Sequence, residues 1–456
     1  MIEKKSNQFF CIKLTINEII ISMNRTIKYF LEITKIYRES KHEDKMSEYL
    51  INFAKKRGLK YIKDKCGNVL ITKTVDEKLP IILQAHLDMI YISDNNFDFK
   101  NKKIPVKMNK RYIYTNGTTL GADDGIGIAL ILAMFDKVDK NIEGLFTTSE
   151  EIDMSGAKNF DASILSGKYL INLDGFDKDT IINKTAAFYD LEINKKISMK
   201  KSIYNNTYKI EVSGLKGGHS GADIEKNIGN AILILASILK EISGELISFK
   251  GGTKNNVIPS NALAYFNINK INLKKLEKYK IEHKELKIKI NKVKYQNKVM
   301  NNTSEYLDSI LKLPKNIYYK NKFIVTSYNL GVIDNNIFKI GLRSSDNISK
   351  DKVLKKIINN GKIYNYKVKQ TDFEPGFKTN KNSKLIKILK ENNKKSLIKE
   401  DHITVEVGFL QEKKKDLEIA IIAPEIKYAH STKERVNTKS IIDTEKWLEK
   451  VINKLQ

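Results

Sequence analysis

The chain has 456 residues, 41% hydrophobic and 30% charged, a size and balance that suit a globular protein of more than one domain with ample core. Lys and Arg number 81 against 54 Asp and Glu, a net charge of +27. The lysines are spread along the whole chain among Asn and Ile, and no nucleic-acid module accompanies them, so the excess is a compositional habit with weak polyanion affinity as a side effect.

The first residues, MIEKKSNQFFCIKLTINEIIISM, contain a short apolar section that Glu18 interrupts and no small-residue cleavage site. No signal peptide is expected from them, and Met23 offers an alternative start. Cys11 and Cys66 cannot build a disulfide framework and fit a reducing compartment. No run of about 18 apolar residues is present, so no transmembrane helix is expected and the cytoplasm is the default location. From about residue 24 to 58 helical periodicity occurs twice, with Ser40 and Glu43 spaced as a capping box and Gly58 placed as a C-cap. VLITK and LPIILQAH have the pattern of strands. DDGIGIALILAMFDK begins as a glycine-punctuated turn and becomes a helix, while IEGLFTTSEE and YLINLDGFD are strands running into acidic ends. This alternation predicts an α/β fold in which helices layer a sheet and ligands gather where strands end.

After Ala187 the texture changes to open-faced strands, YDLEINKKISMK and YKIEVSGL, then an amphipathic helix in NIGNAILILASILKEIS and hairpin material in GGTKNNVIPSNALAYFNIN. Pro375-Gly376 marks a second boundary, followed by a helix, a strand pair and a terminal helix. The expected organisation is one domain in two parts, 1–187 and 374–456, with a second, α+β domain of residues 188–373 inserted between them.

The chemistry concentrates at the strand ends. In AHLDM, His86 and Asp88 are two apart and project to one face of an extended chain. A histidine that binds a metal usually has its other ring nitrogen held by a carboxylate, and Asp88 suits that task. Asp123 in LGADDGIG, Glu150-Glu151 in TTSEE, Asp174 in INLDG and His430 in YAHSTKERV follow in similar positions. Alone, each is an ordinary acidic turn or solvated pair. Together, His86, Asp123, Glu151, Asp174 and His430 supply the imidazole and carboxylate donors that two divalent ions need. Glu150 is left over, a carboxylate beside a ligand and expected to point away from it because strand neighbours alternate, as a general base for hydrolysis would.

The order of HLDM, GADDGIG, TSEE, LDG, GGHSG, NNVIPSNA and HSTKERV, from about Met23 to the C-terminus, resembles the M20 family of co-catalytic zinc peptidases, and within it the aminoacyl-histidine (Xaa-His) dipeptidase, or peptidase D, branch. The resemblance implies a zinc-binding catalytic domain with an inserted lid that often mediates homodimers, for which the amphipathic helix offers a surface or simply covers its own sheet. It implies two Zn²⁺, with Mn²⁺ or Co²⁺ as alternatives, and dipeptides as substrates. His86, Asp123 and Asp174 would hold one ion and Asp123, Glu151 and His430 the other, with Asp88 orienting His86 and Glu150 as the base. In the lid, His219 of GGHSG would polarise the scissile carbonyl or contact the substrate, while Asn256 and Arg343 would take the substrate carboxylate. Arginine suits that role because its planar fork pairs with a carboxylate bidentately.

Dipeptidases of this branch carry a segment like HAGLECG before the last histidine. Aligned on VEVGFLQE, Gly408 is kept, and Glu406 and Leu410 stand at the His and Glu positions, a departure that touches the substrate pocket rather than the metals. Rival activities are a tripeptidase or an N-acyl-amino-acid amidohydrolase with the same metal residues and a different pocket. A non-catalytic, basic polyanion-binding protein is the rival of another class, and it gives no reason to keep all five donors with Glu150.

Overall fold

The computed structural model describes residues 24–456 apart from 227, 315 and 321; Cys11 and the question of the native start lie outside the described residues. The chain forms two compact units. The first comprises the residues up to Asn183 with Lys378–Lys399 and Phe409–Gln456; the second comprises Lys184–Phe377 with Glu400–Gly408. Residues 400–408, expected with the terminal segment, therefore group with the inserted unit.

An eight-stranded sheet organises the first unit, in the order Lys60–Lys63, Val69–Lys73, Ile142–Thr147, Ile81–His86, Tyr169–Asn172, Glu418–Ile421, Thr180–Thr185, Leu397–Asp401. The four strands from Ile142–Thr147 to Glu418–Ile421 run parallel, so their carboxyl ends lie along one edge. Ile81–His86 and Ile142–Thr147 are buried along their whole length, as parallel strands covered on both faces must be. The helix Ala122–Lys137 is apolar nearly all round and packs into the same core as Phe30, Ile33, Leu448 and Ile452. It approaches the sheet closely, for a Cβ at Gly144 would meet Phe135 Cε2 at 2.8 Å. Among the described residues, no helix is long and apolar enough to cross a membrane.

Two local expectations fail. Helix Asp44–Lys56 begins at Glu43 with no side-chain cap, because Ser40 and Glu43 are engaged elsewhere. The late strands Leu397–Asp401 and Glu418–Ile421 do not pair with one another, since Thr180–Thr185 runs between them. Gly58, at φ +65°, does follow the end of its helix.

The second unit is built on a nine-stranded antiparallel sheet bounded by Lys287–Val293 and Tyr366–Glu374, edges whose lysines discourage further pairing. The helix Ala231–Ile242 covers its own sheet, with Ile232, Leu235, Ile238 and Leu239 buried in the core beside Phe249 and Phe266. The mixed α/β architecture with an inserted α+β unit is the one expected from the sequence.

Candidate metal centre

Parallel strands deliver the donors. His86 is the last residue of Ile81–His86, Glu150 and Glu151 follow Ile142–Thr147, and Asp174 follows Tyr169–Asn172. Asp123 occupies the first turn of Ala122–Lys137, where its own backbone angles are non-helical. Gly121 precedes it at φ +72°, packed so tightly that a Cβ would meet Arg38 Nη2 at 2.7 Å. His430 is carried at φ +58° in the loop before Arg435–Asn437.

The donor atoms of His86, Asp123 and Asp174 all lie within 4.8 Å of one another, and so do those of Asp123, Glu151 and His430. Asp123 belongs to both sets: its Oδ1 is 3.0 Å from His86 Nε2 and its Oδ2 is 2.9 Å from His430 Nε2. Glu151 Oε1 lies 2.8 Å from His430 Nε2. Asp88, wholly buried, has Oδ1 3.4 Å from His86 Nδ1, the arrangement that leaves Nε2 free to ligate. The same carboxylate accepts from the amides of Glu150 at 3.0 Å and Glu151 at 3.2 Å. Asp88 thus fixes both the imidazole and the acidic turn.

Glu150 is not turned away from this cavity. A donor atom of Glu150 lies within 4.8 Å of those of His86 and Glu151. The alternation argument does not apply, because the strand ends at Thr147 and Ser149 has φ +60°.

The electrostatics are those of a site short of positive charge. Burial works against a charged imidazole at His430, yet hydrogen bonds to Asp123 and Glu151 outweigh it and carry the group up to about 11. His86 rises well above its ordinary value against the same opposition, through Asp123 and Asp88. Burial, then repulsion by Asp123, raises Glu151, while burial and Asp174 raise Asp124. Protons are being recruited where cations would serve, and imidazole with carboxylate oxygen is a donor set for Zn²⁺, Mn²⁺ or Co²⁺. The residues fit a pair of divalent ions.

Several supporting residues are not apparent from the sequence motifs. Arg38, 1% exposed, donates through Nη1 to the carbonyls of Leu87 and Asp88 and through Nη2 to that of Gly121. Ser40 donates to Asp88 Oδ2 at 2.7 Å, and Glu43 accepts from the Ser149 amide at 2.9 Å. Glu434, four residues after His430, accepts from the amides of the turn that carries Asp123.

In the second unit, the structure gathers His219 and Arg343 with a residue the motifs did not flag, His402. Arg343 is 4% exposed, stacks over the Phe188 ring at 4.5 Å, donates from Nη1 to Thr404 Oγ1 at 2.8 Å, and has Nη2 3.2 Å from His219 Nε2. His402 Nε2 lies 2.8 Å from Ser327 Oγ. Arg343 Nε, His402 Nδ1, Asn256 Oδ1 and Ser220 Oγ are buried without a hydrogen-bond partner. Burial, reinforced by Arg343, lowers His219 to about 4 and His402 to about 3; burial itself lowers Arg343 to about 10. A signal for His402 was available. His402, Glu406 and Gly408 have the spacing of the His, Glu and last Gly of HAGLECG, so the register that placed Glu406 and Leu410 at those positions is four residues off. Leu410 is instead a fully buried residue of the helix Val407–Lys413.

Two donor triads that share the Asp123 carboxylate, gathered at the carboxyl ends of the parallel strands, are groups that could hold metal ions. The profile of peptidase family M20/M25/M40 matches residues 82–454, and the chain belongs to that family of peptide-bond hydrolases. It is 29% identical to the cytosol non-specific dipeptidase of Escherichia coli K12, over 90% of this chain and 93% of that one. Among solved structures, it is similar to aminoacylhistidine dipeptidase from Vibrio alginolyticus, with a TM-score of 0.79, 25% identity, and coverage of 95% of this chain and 97% of that one. A tripeptidase from Staphylococcus aureus shares the fold at a TM-score of 0.55 and 17% identity, over 94% and 97% of the two chains.

Proposed function

We propose that this protein hydrolyses the peptide bond of dipeptides, Xaa-His dipeptides among them, at a dinuclear divalent-metal site in the cytoplasm. The observation that carries this reading is the pair of donor triads meeting at Asp123. His86, Asp123 and Asp174 would hold one ion and Asp123, Glu151 and His430 the other, zinc being the natural choice for this mixture of imidazole and carboxylate. When bound, the ions would supply Lewis-acid polarisation and a water of lowered pKa. Two of the relatives named above are dipeptidases, which supports the substrate class, and one of them is described as cytosolic.

Glu150 takes a proton from the attacking water and delivers it to the amine nitrogen as the C–N bond breaks, giving a carboxylate and a free amine. Asp88 holds the His86 tautomer and the turn from which Glu150 acts.

Arg343, Asn256 and His219 take the substrate's carboxylate. His219 Nδ1 accepts from the amides of Gly221 at 3.3 Å and Ala222 at 3.1 Å, which puts the proton of a neutral ring on Nε2. Nε2–H and Arg343 Nη2–H then face each other as two donors, and a carboxylate oxygen between them answers both.

The test is a panel of dipeptides, tripeptides and N-acyl amino acids offered to protein reconstituted with Zn²⁺, Mn²⁺ or Co²⁺. Turnover of dipeptides, Xaa-His included, is expected. A metal-loaded protein that cleaves none of the dipeptides refutes the proposal.

A further inference from the structure

We propose that Glu434 is a positioning residue that locks the loop carrying His430 to the turn carrying Asp123, so that the two donors are held together for the metal centre. The inference rests on the metal-centre reading above and concerns a side chain that touches neither substrate nor ligand atoms.

Glu434 is 2% exposed and spans four consecutive amides. Its Oε2 accepts from Leu120 N at 2.8 Å and Gly121 N at 3.2 Å; its Oε1 accepts from Ala122 N at 2.7 Å and Asp123 N at 3.4 Å. These amides belong to the turn that leads into the helix, whose backbone angles are non-helical at Asp123 and Asp124. Buried amides need an acceptor, and the one that satisfies them from outside the turn also holds the turn in place. Held there, Asp123 reaches His86 through Oδ1 and His430 through Oδ2.

Glu434 satisfies these amides from another part of the chain, more than 300 residues away in sequence. Asp124, the next carboxylate, caps the helix itself by accepting from the Gly127 amide at 3.1 Å. The clamp has a second consequence. Only three residues separate Glu434 from His430, so fixing Glu434 on the turn brings the exposed His430 loop to the position where Nε2 meets Asp123 and Glu151. Arg38 donates from Nη2 to the carbonyl of Gly121 at 2.6 Å. One turn is thus gripped by its donors and its acceptor at once.

The test is Glu434→Gln in the full-length protein, with Co²⁺ as the probe. The amide keeps the shape, but its NH₂ points donors at donors. Competition with a chromophoric chelator should show roughly 10- to 100-fold weaker Co²⁺ binding, the usual range for residues that support ligands. The visible spectrum at saturating Co²⁺ should also change, because the Asp123 and His430 donors would no longer be presented in the same positions. A residue that merely stabilises the fold would lower the melting temperature and leave the saturated spectrum intact, and that outcome overturns the proposal. Wild-type affinity and spectrum in the variant overturn it as well. Amide hydrogen exchange on the chelator-treated wild-type protein gives an arm that needs no variant. Protection at Leu120–Asp123 is expected, and exchange at open-loop rates means the clamp is absent. Failure of the wild-type protein itself to bind Co²⁺ would instead strike the metal-centre reading.

Discussion

Two clusters in this chain are charged in opposite senses, and each distorts its histidines accordingly. In the first unit, Asp88, Asp123, Asp124, Glu150, Glu151 and Asp174 surround two imidazoles, and His430 is carried up to about 11. In the second unit, a buried guanidinium lies among Thr404, Phe188 and two imidazoles, and His219 and His402 fall to about 4 and about 3. The same side chain is thus a base looking for a proton in one place and a neutral donor in the other. The difference teaches what each cluster lacks: under the reading proposed above, the first would take cations and the second an anion. A strongly basic chain has concentrated its acids where a metal would bind, and its overall charge of +27 says nothing about either site.

The largest expected effect comes from removing what the first cluster lacks. Chelation should abolish peptide hydrolysis, and re-addition of Zn²⁺, Mn²⁺ or Co²⁺ should restore it. His86→Ala should lose metal and activity together, as elemental analysis and a dipeptide assay would record. Full activity in metal-free protein would break the comparison at its stronger end.

Next in size is Glu150→Gln, which keeps the shape of the side chain and removes its basicity. Metal content and dipeptide binding should persist while kcat falls by a factor of about 10² to 10⁴. Glu151→Gln should instead weaken metal binding, since Glu151 reaches His430 and Asp123. Near wild-type turnover by a metal-loaded Glu150→Gln protein would show that another group moves the proton.

Much of the first cluster was legible in the sequence because its logic is local. Three of the parallel strands are short apolar runs that end on a donor or within four residues of one, so the strand ends announce His86, Glu150, Glu151 and Asp174. The supports were not legible because their logic is distant. Ser40 and Glu43 have the spacing of a capping box, yet their partners lie 48 and 106 residues away, at Asp88 and Ser149. Glu434 stood within a recognised motif, and its partners are backbone amides that no side-chain pattern reveals. The pairing of the late strands failed for the same reason, since Thr180–Thr185 comes between them from much earlier in the chain. In the second unit, Arg343 could be nominated only by resemblance, because a strand arginine looks the same whether or not carboxylates surround it.

A smaller effect would sharpen the second cluster. Arg343→Lys keeps the charge and loses the fork. A hydrogen bond to a charged group contributes about 1.5–3 kcal/mol, so KM for dipeptides should rise roughly 10- to 100-fold while kcat changes less. Dipeptide amides lack the carboxylate and should bind weakly to both proteins, with no further loss in the variant. An equal loss for acids and amides would mean that Arg343 supports the fold and recognises nothing.

The smallest effect is a pH dependence with a definite sign. His219 and His402 are held below the ordinary value of about 6.5, first by burial and then by Arg343. In the unfolded chain both groups take up protons as the pH drops through that value, while in the folded chain they wait until about 4 and about 3. Over that window the unfolded state binds more protons, so stability is full above pH 6.5 and declines as the pH falls. The slope is at most about 1.4 kcal/mol per pH unit for each group, and it ends once the folded values are passed. An imidazole titration followed by NMR should therefore find both rings neutral at pH 5. Saturation with a dipeptide product should raise both values, because a carboxylate on Arg343 cancels the repulsion that helps to lower them. Rings that titrate near 6.5, or values that ignore the carboxylate, would mean that the cluster is not a dry site organised around an unmatched cation.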